Sequence, residues 1–263
     1  MANESAVQAS IHSPDVLLSC ILDMGELLLA NGGEVLRVED TLYRLCAAYG
    51  FSRINVFCIT SSIVLTVHNT EGQIFTQTRR ITARDTNLQK VDRVNTLSRQ
   101  LCKEPVSIEV FQKQLAVIRN CDTYPIWIQC MCYAVISAVF SVFFGGSALD
   151  GVAAAISGIV MFFTLQFMQK LRMNSILQSM LVSAITALEV VLLVHLGIGH
   201  TPELITIGNI MLLIPGIAFT TSLRDIINGD TISGLIGISE AIIKAVAIAI
   251  GFAAVLVQMG GSL

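Results

Sequence analysis

An apolar stretch between residues 206 and 234 holds the polar groups best suited to binding a small solute. Proline removes a backbone donor and its ring clashes one turn back, so Pro215 is expected to break a helix there. Carbonyls freed inside hydrocarbon need partners from hydroxyl side chains, neighbouring helices or water. A solute path and a proline tolerated in a lipid-packed helix fit this stretch equally well. The candidate path residues are Asn209, Pro215, Gly216, Thr220, Thr221, Arg224 and Asp225.

Two further carboxylates lie in or at the head of apolar runs, where charged groups are costly unless they are partnered. Glu189 falls deep within residues 176–198, and Asp150 stands at the head of residues 149–169. A carboxylate that couples transport to a proton or cation is the functional interpretation, and a polar lock between helices is the structural one. We favour ion coupling for both groups, with Glu189 the first to test.

A third set of charged residues, Arg37 and Glu39, lies near the start of a predicted helix in the first half of the chain. Acidic side chains suit the first turns of a helix because they complement its dipole. The local pattern alone therefore favours a solvated helix face over a binding motif.

Charge is divided unevenly along the 263 residues, of which 54% are hydrophobic, with a mean hydropathy of +0.72. Twelve of the 16 lysines and arginines lie between residues 37 and 119. This division predicts a soluble domain over 1–122 and a membrane domain over 123–263. The net charge of −3, with acids interspersed among the bases, argues against a nucleic-acid partner.

The first half alternates between two hydrophobic periods, one typical of helices and one typical of strands. Two helices, three strands and two further helices follow in order, which predicts a small α+β domain. The sequence 69–72, Asn-Thr-Glu-Gly, is the turn signal between the second and third strands. The predicted elements span 14–30, 34–49, 54–60, 63–69, 73–80, 87–102 and 107–120.

Five apolar runs in the second half are long enough for a hydrocarbon core of about 30 Å, which needs about 20 residues. The predicted spans are 126–144, 149–169, 176–198, 204–222 and 232–258. Among the links, only those on the side of the soluble domain carry lysine or arginine, at Lys170, Arg172 and Arg224, and the remaining lysine, Lys244, lies inside the fifth run. The positive-inside rule then places the N-terminus in the cytosol and the C-terminus outside.

Seven scattered cysteines without a CxxC pair indicate a reducing compartment rather than a disulfide framework or a zinc site. A phosphate-binding loop, a nucleophile elbow and an HExxH motif do not occur. We therefore expect neither an enzyme nor direct ATP drive, and no metal or cofactor.

Several motifs together resemble the threonine/serine exporter family. They are the segment 25–41 (GELLLANGGEVLRVEDT), the segment 144–150 (FGGSALD), the segment 213–225 (LIPGIAFTTSLRD) and the tripeptide 229–231 (GDT). The similarity runs from about residue 15 to the end of the chain. It implies an exporter of small polar metabolites, either threonine and serine or a dicarboxylate such as succinate. It also gives Arg37 and Glu39 a functional interpretation, because they fall on the family motif.

Single-chain members of that family continue into a second set of about five spans, whereas this sequence stops after its fifth. The resemblance therefore implies the larger subunit of a two-component exporter, with a small five-span membrane partner, or else a homo-oligomer. We expect the energy source to be the proton gradient across the plasma (inner) membrane, in which the chain would be multi-pass. The alternative is a sensor or scaffold that does not transport and whose cytosolic domain binds a ligand or a protein.

Overall fold

The computed structural model describes residues 14–82, 85–121, 124–171 and 173–259, with the backbone alone at 258–259. Two of the expectations above fall outside these ranges: the domain boundary at 122/123 and Arg172 in the second link. The described chain divides into two compact units. One unit groups the described part of 1–122 with Ile217–Ile238, and the other groups the described parts of 123–216 and 239–263.

The N-terminal domain of the first unit is built around one nearly fully buried helix. Its helices are α1 (Pro14–Ala30), α2 (Val35–Ala48), α3 (Leu88–Lys103) and α4 (Ile108–Arg119), and its strands are β1 (Ser52–Ile59), β2 (Ser62–His68) and β3 (Ile74–Arg80). Helix α1 packs against the other three helices and against β2 and β3. Leucine, isoleucine and methionine on several of its faces are buried, as expected of a helix that is covered on all sides.

The three strands form one antiparallel sheet in the order β1-β2-β3. Ile63, Leu65 and Val67 of β2 are fully buried and alternate with half-buried residues, which is the period of a strand with one face on the core. The turn predicted at 69–72 joins β2 and β3, where Asn69 Oδ1 accepts the N–H groups of Glu71 and Gln73. The predicted element order of this domain is confirmed, with bounds that shift by two residues at most.

The second half of the chain carries long apolar helices. They are α5 (Ile126–Phe143), α6 (Ala148–Lys170), α7 (Ser175–His195), α8 (Pro202–Leu213), α9 (Gly216–Ile227) and α10 (Thr231–Met259). Four of them are long and apolar enough to cross a membrane, and the described chain has five such spans if α8 and α9 form one broken span. A mostly helical protein with four or five candidate membrane helices and a small sheet is therefore confirmed.

The predicted break in the fourth span is present. Helix α8 ends at Leu213 and α9 begins at Gly216, so the interruption falls at Ile214 and Pro215. One of the sequence boundaries between the two compact units also falls here, between Gly216 and Ile217. Residues 217–238 thus belong with the N-terminal domain in the first unit, which a division at 122/123 alone does not anticipate.

Close approach between α5 and α8 in the second unit depends on Gly208. A methyl group at this position would overlap the Ser137 carbonyl oxygen and would also meet Ser141. We expect Gly208→Ala to destabilise the membrane helices by about 1–3 kcal/mol, as other overpacked sites do. Thermal unfolding in detergent would measure the change, with Gly216→Ala as the matched control because its added methyl group meets nothing within 4 Å. Equal melting temperatures for the two variants would contradict this packing argument.

Candidate functional site

The hydroxyl groups after the helix break are turned toward their own helix. Thr220 and Thr221 donate to the carbonyl oxygen of Ile217 at 3.0 and 2.9 Å, and Ser222 donates to Ala218 at 2.7 Å. These side chains therefore satisfy backbone carbonyls within α9, as hydroxyls in helices often do. The hydrogens of the three hydroxyl groups are thus used within α9.

Arg224, near the end of α9, forms an ion pair with Glu34, which precedes α2 in the N-terminal domain. The Arg224 side chain is 59% exposed, whereas the Glu34 side chain is only 18% exposed. Sequence reasoning chose Arg224 but missed Glu34, although Glu34 lies between the glycine pair and Arg37 in the motif segment. The structure thus joins two motifs that are 190 residues apart in sequence.

Glu39 is held by the first strand of the sheet. Its Oε1 atom accepts the N–H of Cys58 in β1 at 2.8 Å. Burial raises the pKa of Glu39, the Cys58 hydrogen bond lowers it, and the Asp230 carboxylate raises it again. Asp230 precedes α10, and its N–H donates to the carbonyl oxygen of Asp225 at 2.9 Å.

Arg37, the other residue of the N-terminal motif, is exposed on α2. An open groove of about 370 Å³ lies beside the same helix. It is lined by Leu36, Glu39, Asp40, Tyr43, Ile54, Asn55 and Val56. One of its two carboxylates, Asp40, is already paired with Arg44 at 2.8 Å. The groove is thus mostly apolar with acidic groups at its α2 side.

Within the second unit, Asn209 of α8 is fully buried and bonded on both ends of its amide. Ser137 of α5 donates to Asn209 Oδ1 at 2.9 Å, and Asn209 Nδ2 donates to the Ile205 carbonyl at 3.0 Å. Further buried hydroxyls lack a hydrogen-bond partner in the part of the chain that the structure describes; they are Ser141, Thr186 and Thr206. Unpaired buried hydroxyls are uncommon, so these positions favour water or a polar solute between the helices.

The two candidate coupling carboxylates have different surroundings. Glu189 of α7 is half-buried and accepts one hydrogen bond, from Ser157 of α6 at 3.4 Å. Asp150, at the start of α6, is 1% exposed and accepts bonds on both oxygens from Ser147, His200 and Thr201. Glu189 has room for a further partner, whereas the acceptor positions of Asp150 are well filled.

The predicted site residues therefore lie in two groups. Thr220, Thr221, Arg224 and Asp225 belong to the first unit, together with Arg37 and Glu39. The second unit holds Asn209, Glu189, Asp150, Pro215 and Gly216. Across the described ranges, no group of three or more His, Cys, Asp or Glu side chains is placed to hold a metal ion.

The family of the chain follows from comparison with known proteins. A family model, ThrE, described as a threonine/serine exporter, matches residues 19–259. No match was found among curated proteins, and none among solved structures. ThrE is a transporter family rather than an enzyme family, and with several apolar helices it indicates a multi-pass membrane protein. Because the match covers nearly the whole sequence, the chain belongs to the ThrE family of threonine/serine exporters.

Proposed function

We propose that this chain is a subunit of a secondary exporter that moves threonine and serine out of the cell, with a dicarboxylate such as succinate as the other candidate substrate. The observation that carries the proposal is the break at Pro215 within a chain that matches the exporter family from 19 to 259. Interrupted helices in transporters bring polar backbone and side-chain groups to the substrate at the membrane interior. Asn209 precedes this break, and Thr220, Thr221, Arg224 and Asp225 follow it.

We place the N-terminal domain in the cytosol and the C-terminus outside, in the plasma (inner) membrane. The support is the position of the lysines and arginines, which favour the cytosolic side of a membrane. On this orientation Arg224 and Asp225 form part of the cytosolic mouth, where a substrate enters before export. Glu189 is the proposed proton-coupling carboxylate.

We further propose that the complete exporter contains either a small five-span membrane partner or additional copies of this chain. A set of five spans is of the size of one repeat in an inverted-repeat transporter, and a second five-span unit inserted in the opposite direction would supply the other repeat. The dense small residues of α6, among them Gly151, Ala153, Ala154 and Gly158, suit close packing between helices.

A sensor or scaffold that does not transport is the second candidate function. The groove of about 370 Å³ beside α2 favours it, because an apolar groove with acidic groups at one side can bind a ligand or a peptide. Deletion of residues 1–120 separates the two functions. A sensor would lose ligand binding, and any flux measured in the cells would be unchanged because the chain does not carry it. An exporter whose mouth includes Arg224, the partner of Glu34, would lose flux.

Efflux measurements test the proposal. Cells loaded with labelled threonine, serine or succinate would express the chain alone or together with a small five-span membrane protein. We expect efflux severalfold above that of cells with an empty vector. Efflux only with the partner supports the two-component exporter, and efflux from the chain alone supports a homo-oligomer. If none of the three substrates leaves the cells in either case, the exporter proposal is wrong and the sensor takes its place.

A further inference from the structure

One edge of the three-stranded sheet is open beside α2. Strand β1 pairs with β2 on one side, and its other side is an edge of the described sheet. The N–H of Cys58 points to that edge, because it donates to Glu39 Oε1 of α2 at 2.8 Å. In an antiparallel pair the hydrogen-bonding direction alternates from residue to residue, so the N–H and the carbonyl of Val56 point to the edge as well. These two groups of Val56 have no hydrogen-bond partner among the described residues.

The open part of this edge is short. At one end, Glu39 already occupies the N–H of Cys58. At the other end, the pairing of β1 with β2 is irregular, because the register shifts between Ser52 and Asn55. Bulges and charged side chains at an edge limit its pairing with a further strand. Residues 54–56 therefore remain available to another extended chain.

A groove lies along this open stretch of the edge. It has a volume of about 370 Å³, and the residues of β1 that line it are Ile54, Asn55 and Val56. The remaining lining residues come from one side of α2 at helical spacing; they are Leu36, Glu39, Asp40 and Tyr43. This volume is near the lower end of the range for ligand sites, about 300–1,000 Å³, so the groove suits a short segment. The free backbone groups and the groove thus coincide.

The α2 side of the groove suits a basic side chain. Two of its four residues are the carboxylates Glu39 and Asp40, and none of the seven lining residues is basic. One oxygen of Glu39 accepts the Cys58 N–H and one oxygen of Asp40 accepts Arg44, so each carboxylate keeps a second oxygen as an acceptor. The Tyr43 ring is 53% exposed and offers its face to a cation. The apolar residues of the groove can cover the methylene stem of a lysine or arginine.

We propose that this groove binds an extended basic segment of a protein partner. The segment adds to the edge of β1 through the N–H and the carbonyl of Val56. A lysine or arginine side chain of the segment lies along α2, with its cationic group at Glu39 and Asp40. In strand addition of this kind, the main chain supplies affinity and the side-chain contacts supply specificity. The site does not depend on export, because every residue that forms it belongs to the N-terminal domain.

A second copy of this chain fits the edge less well. In an antiparallel pair of two β1 edges centred on Val56, the carbonyl of each Ile54 would need the N–H of Cys58 in the other copy. Glu39 already occupies that N–H. Such a pair would also bring two acidic α2 walls to the same edge, where like charges disfavour association. A basic segment meets neither obstacle.

Binding of short peptides to the purified full chain, in nanodiscs of zwitterionic lipid, tests the charge preference. The probe is a blocked, fluorescently labelled five-residue peptide with lysine at its centre and valine and threonine around it. Two control peptides carry glutamine or glutamate at the centre. We expect wild type to bind the lysine peptide severalfold more tightly than the glutamine peptide, and the glutamate peptide least tightly. Empty nanodiscs give the background.

Glu39→Gln tests the carboxylate that faces the segment. Glutamine keeps an oxygen that can accept the Cys58 N–H at 2.8 Å, but it carries no charge. We expect the lysine peptide to lose about twofold to fivefold in affinity, the range of an exposed ion pair, and the glutamine peptide to bind as it does to wild type. Glu71→Gln is the matched control, because it removes one negative charge from the exposed β2–β3 turn and should change no Kd.

N-methylated peptides test strand addition on wild type itself. In an added strand only every second residue turns its N–H toward β1. Of two lysine peptides that are N-methylated at one or the other alternating set of residues, one should therefore lose about tenfold in affinity and the other should bind like the parent. Attraction by charge alone would not distinguish the two peptides.

Val56→Pro removes the edge N–H from the protein side. Proline is tolerated on edge strands because the missing donor is not part of the ladder, and we expect about a tenfold loss of binding. Thr78→Pro is the matched control: the Ile81 N–H donates to Ser61, so the alternation turns the Thr78 N–H to the opposite edge of the sheet. If Val56→Pro melts below Thr78→Pro, the N-methylated peptides decide the question on the unaltered protein.

Several results would overturn the site without bearing on export. They are equal binding of the lysine, glutamine and glutamate peptides to wild type, no binding of any of them, and N-methylated peptides that both keep or both lose their affinity. A dimer of the wild-type chain that Val56→Pro converts to a monomer would show that a second copy occupies the edge instead. Efflux from cells is measured separately, so failure of export leaves this site intact.

Discussion

Replacing Glu189 by glutamine should abolish the dependence of export on a proton gradient while the membrane helices stay folded. Glutamine retains a carbonyl oxygen that can accept the hydrogen bond from Ser157, which joins α6 to Glu189 on α7 at 3.4 Å. It cannot bind and release a proton. Coupling free energies between two sites typically change affinity by about 5- to 150-fold. We expect the rate of gradient-driven net export in Glu189→Gln to be lower than that of wild type by a factor in this range.

Proteoliposomes loaded with labelled threonine, with an imposed pH difference, would measure this effect. Glu203→Gln is the matched control, because Glu203 is an exposed carboxylate in the first turn of α8 and should retain the response to pH. Threonine–threonine exchange without a gradient should persist in Glu189→Gln, because exchange needs no net proton movement. Gradient-driven export at the wild-type rate would exclude Glu189 as the coupling group.

Local pattern was sufficient for most of the fold. Helix α3 was predicted over 87–102 and spans Leu88–Lys103, and β3 was predicted over 73–80 and spans Ile74–Arg80. Hydrophobic period and turn residues act over a few positions, so they can be read without tertiary information. Pro215 likewise predicted the interruption between α8 and α9, because its effect on a helix is purely local.

Contacts across long stretches of sequence were beyond such reasoning. Nothing in the local pattern around Glu34 shows that it meets Arg224, which follows 190 residues later. The grouping of 217–238 with the N-terminal domain is another consequence of tertiary packing. A charged residue next to a glycine pair looks like an ordinary loop residue until its partner is known. The family motif was the available signal, since both residues fall within segments that resemble the exporters.

The four polar contacts that the Asp150 carboxylate accepts are a further feature that local sequence alone does not reveal. Its Oδ2 atom accepts the N–H and the hydroxyl of Ser147, each at 2.8 Å. Its Oδ1 atom accepts the N–H groups of His200 and Thr201, at 2.6 and 3.0 Å. The Ser147 N–H contact and the Asp150 N–H, which donates to Ser147 Oγ at 3.2 Å, together form a capping box at the start of α6. The His200 and Thr201 contacts tie that helix to the link before α8. We interpret Asp150 as an anchor between these two segments.

Replacing Asp150 by alanine should therefore destabilise the second unit more than any other single substitution considered above. It leaves three backbone N–H groups and one hydroxyl without their acceptor, at about 1–3 kcal/mol for each buried group that stays unpaired. Partial solvation of the link reduces the sum, and we expect a loss of about 3–5 kcal/mol. Thermal unfolding in detergent would show this as a lower melting temperature. Ser147→Ala is the graded control, because loss of the capping hydroxyl alone should cost about 1 kcal/mol.

Asp150→Asn distinguishes the anchor from an ion-coupling role. A carboxylate uses both oxygens as acceptors, whereas an amide nitrogen can only donate, so asparagine should lose two of the four contacts and melt at an intermediate temperature. A coupling group would behave differently: the variant would melt like wild type and lose only its response to the proton gradient. An anchor cannot also exchange protons in each cycle, since protonating an oxygen of Asp150 would disturb either the contacts with Ser147 or those that hold α6 to the link before α8. If Asp150→Asn melts at the wild-type temperature and export no longer responds to the proton gradient, Asp150 is a proton-coupling group like Glu189 and the anchor interpretation is wrong.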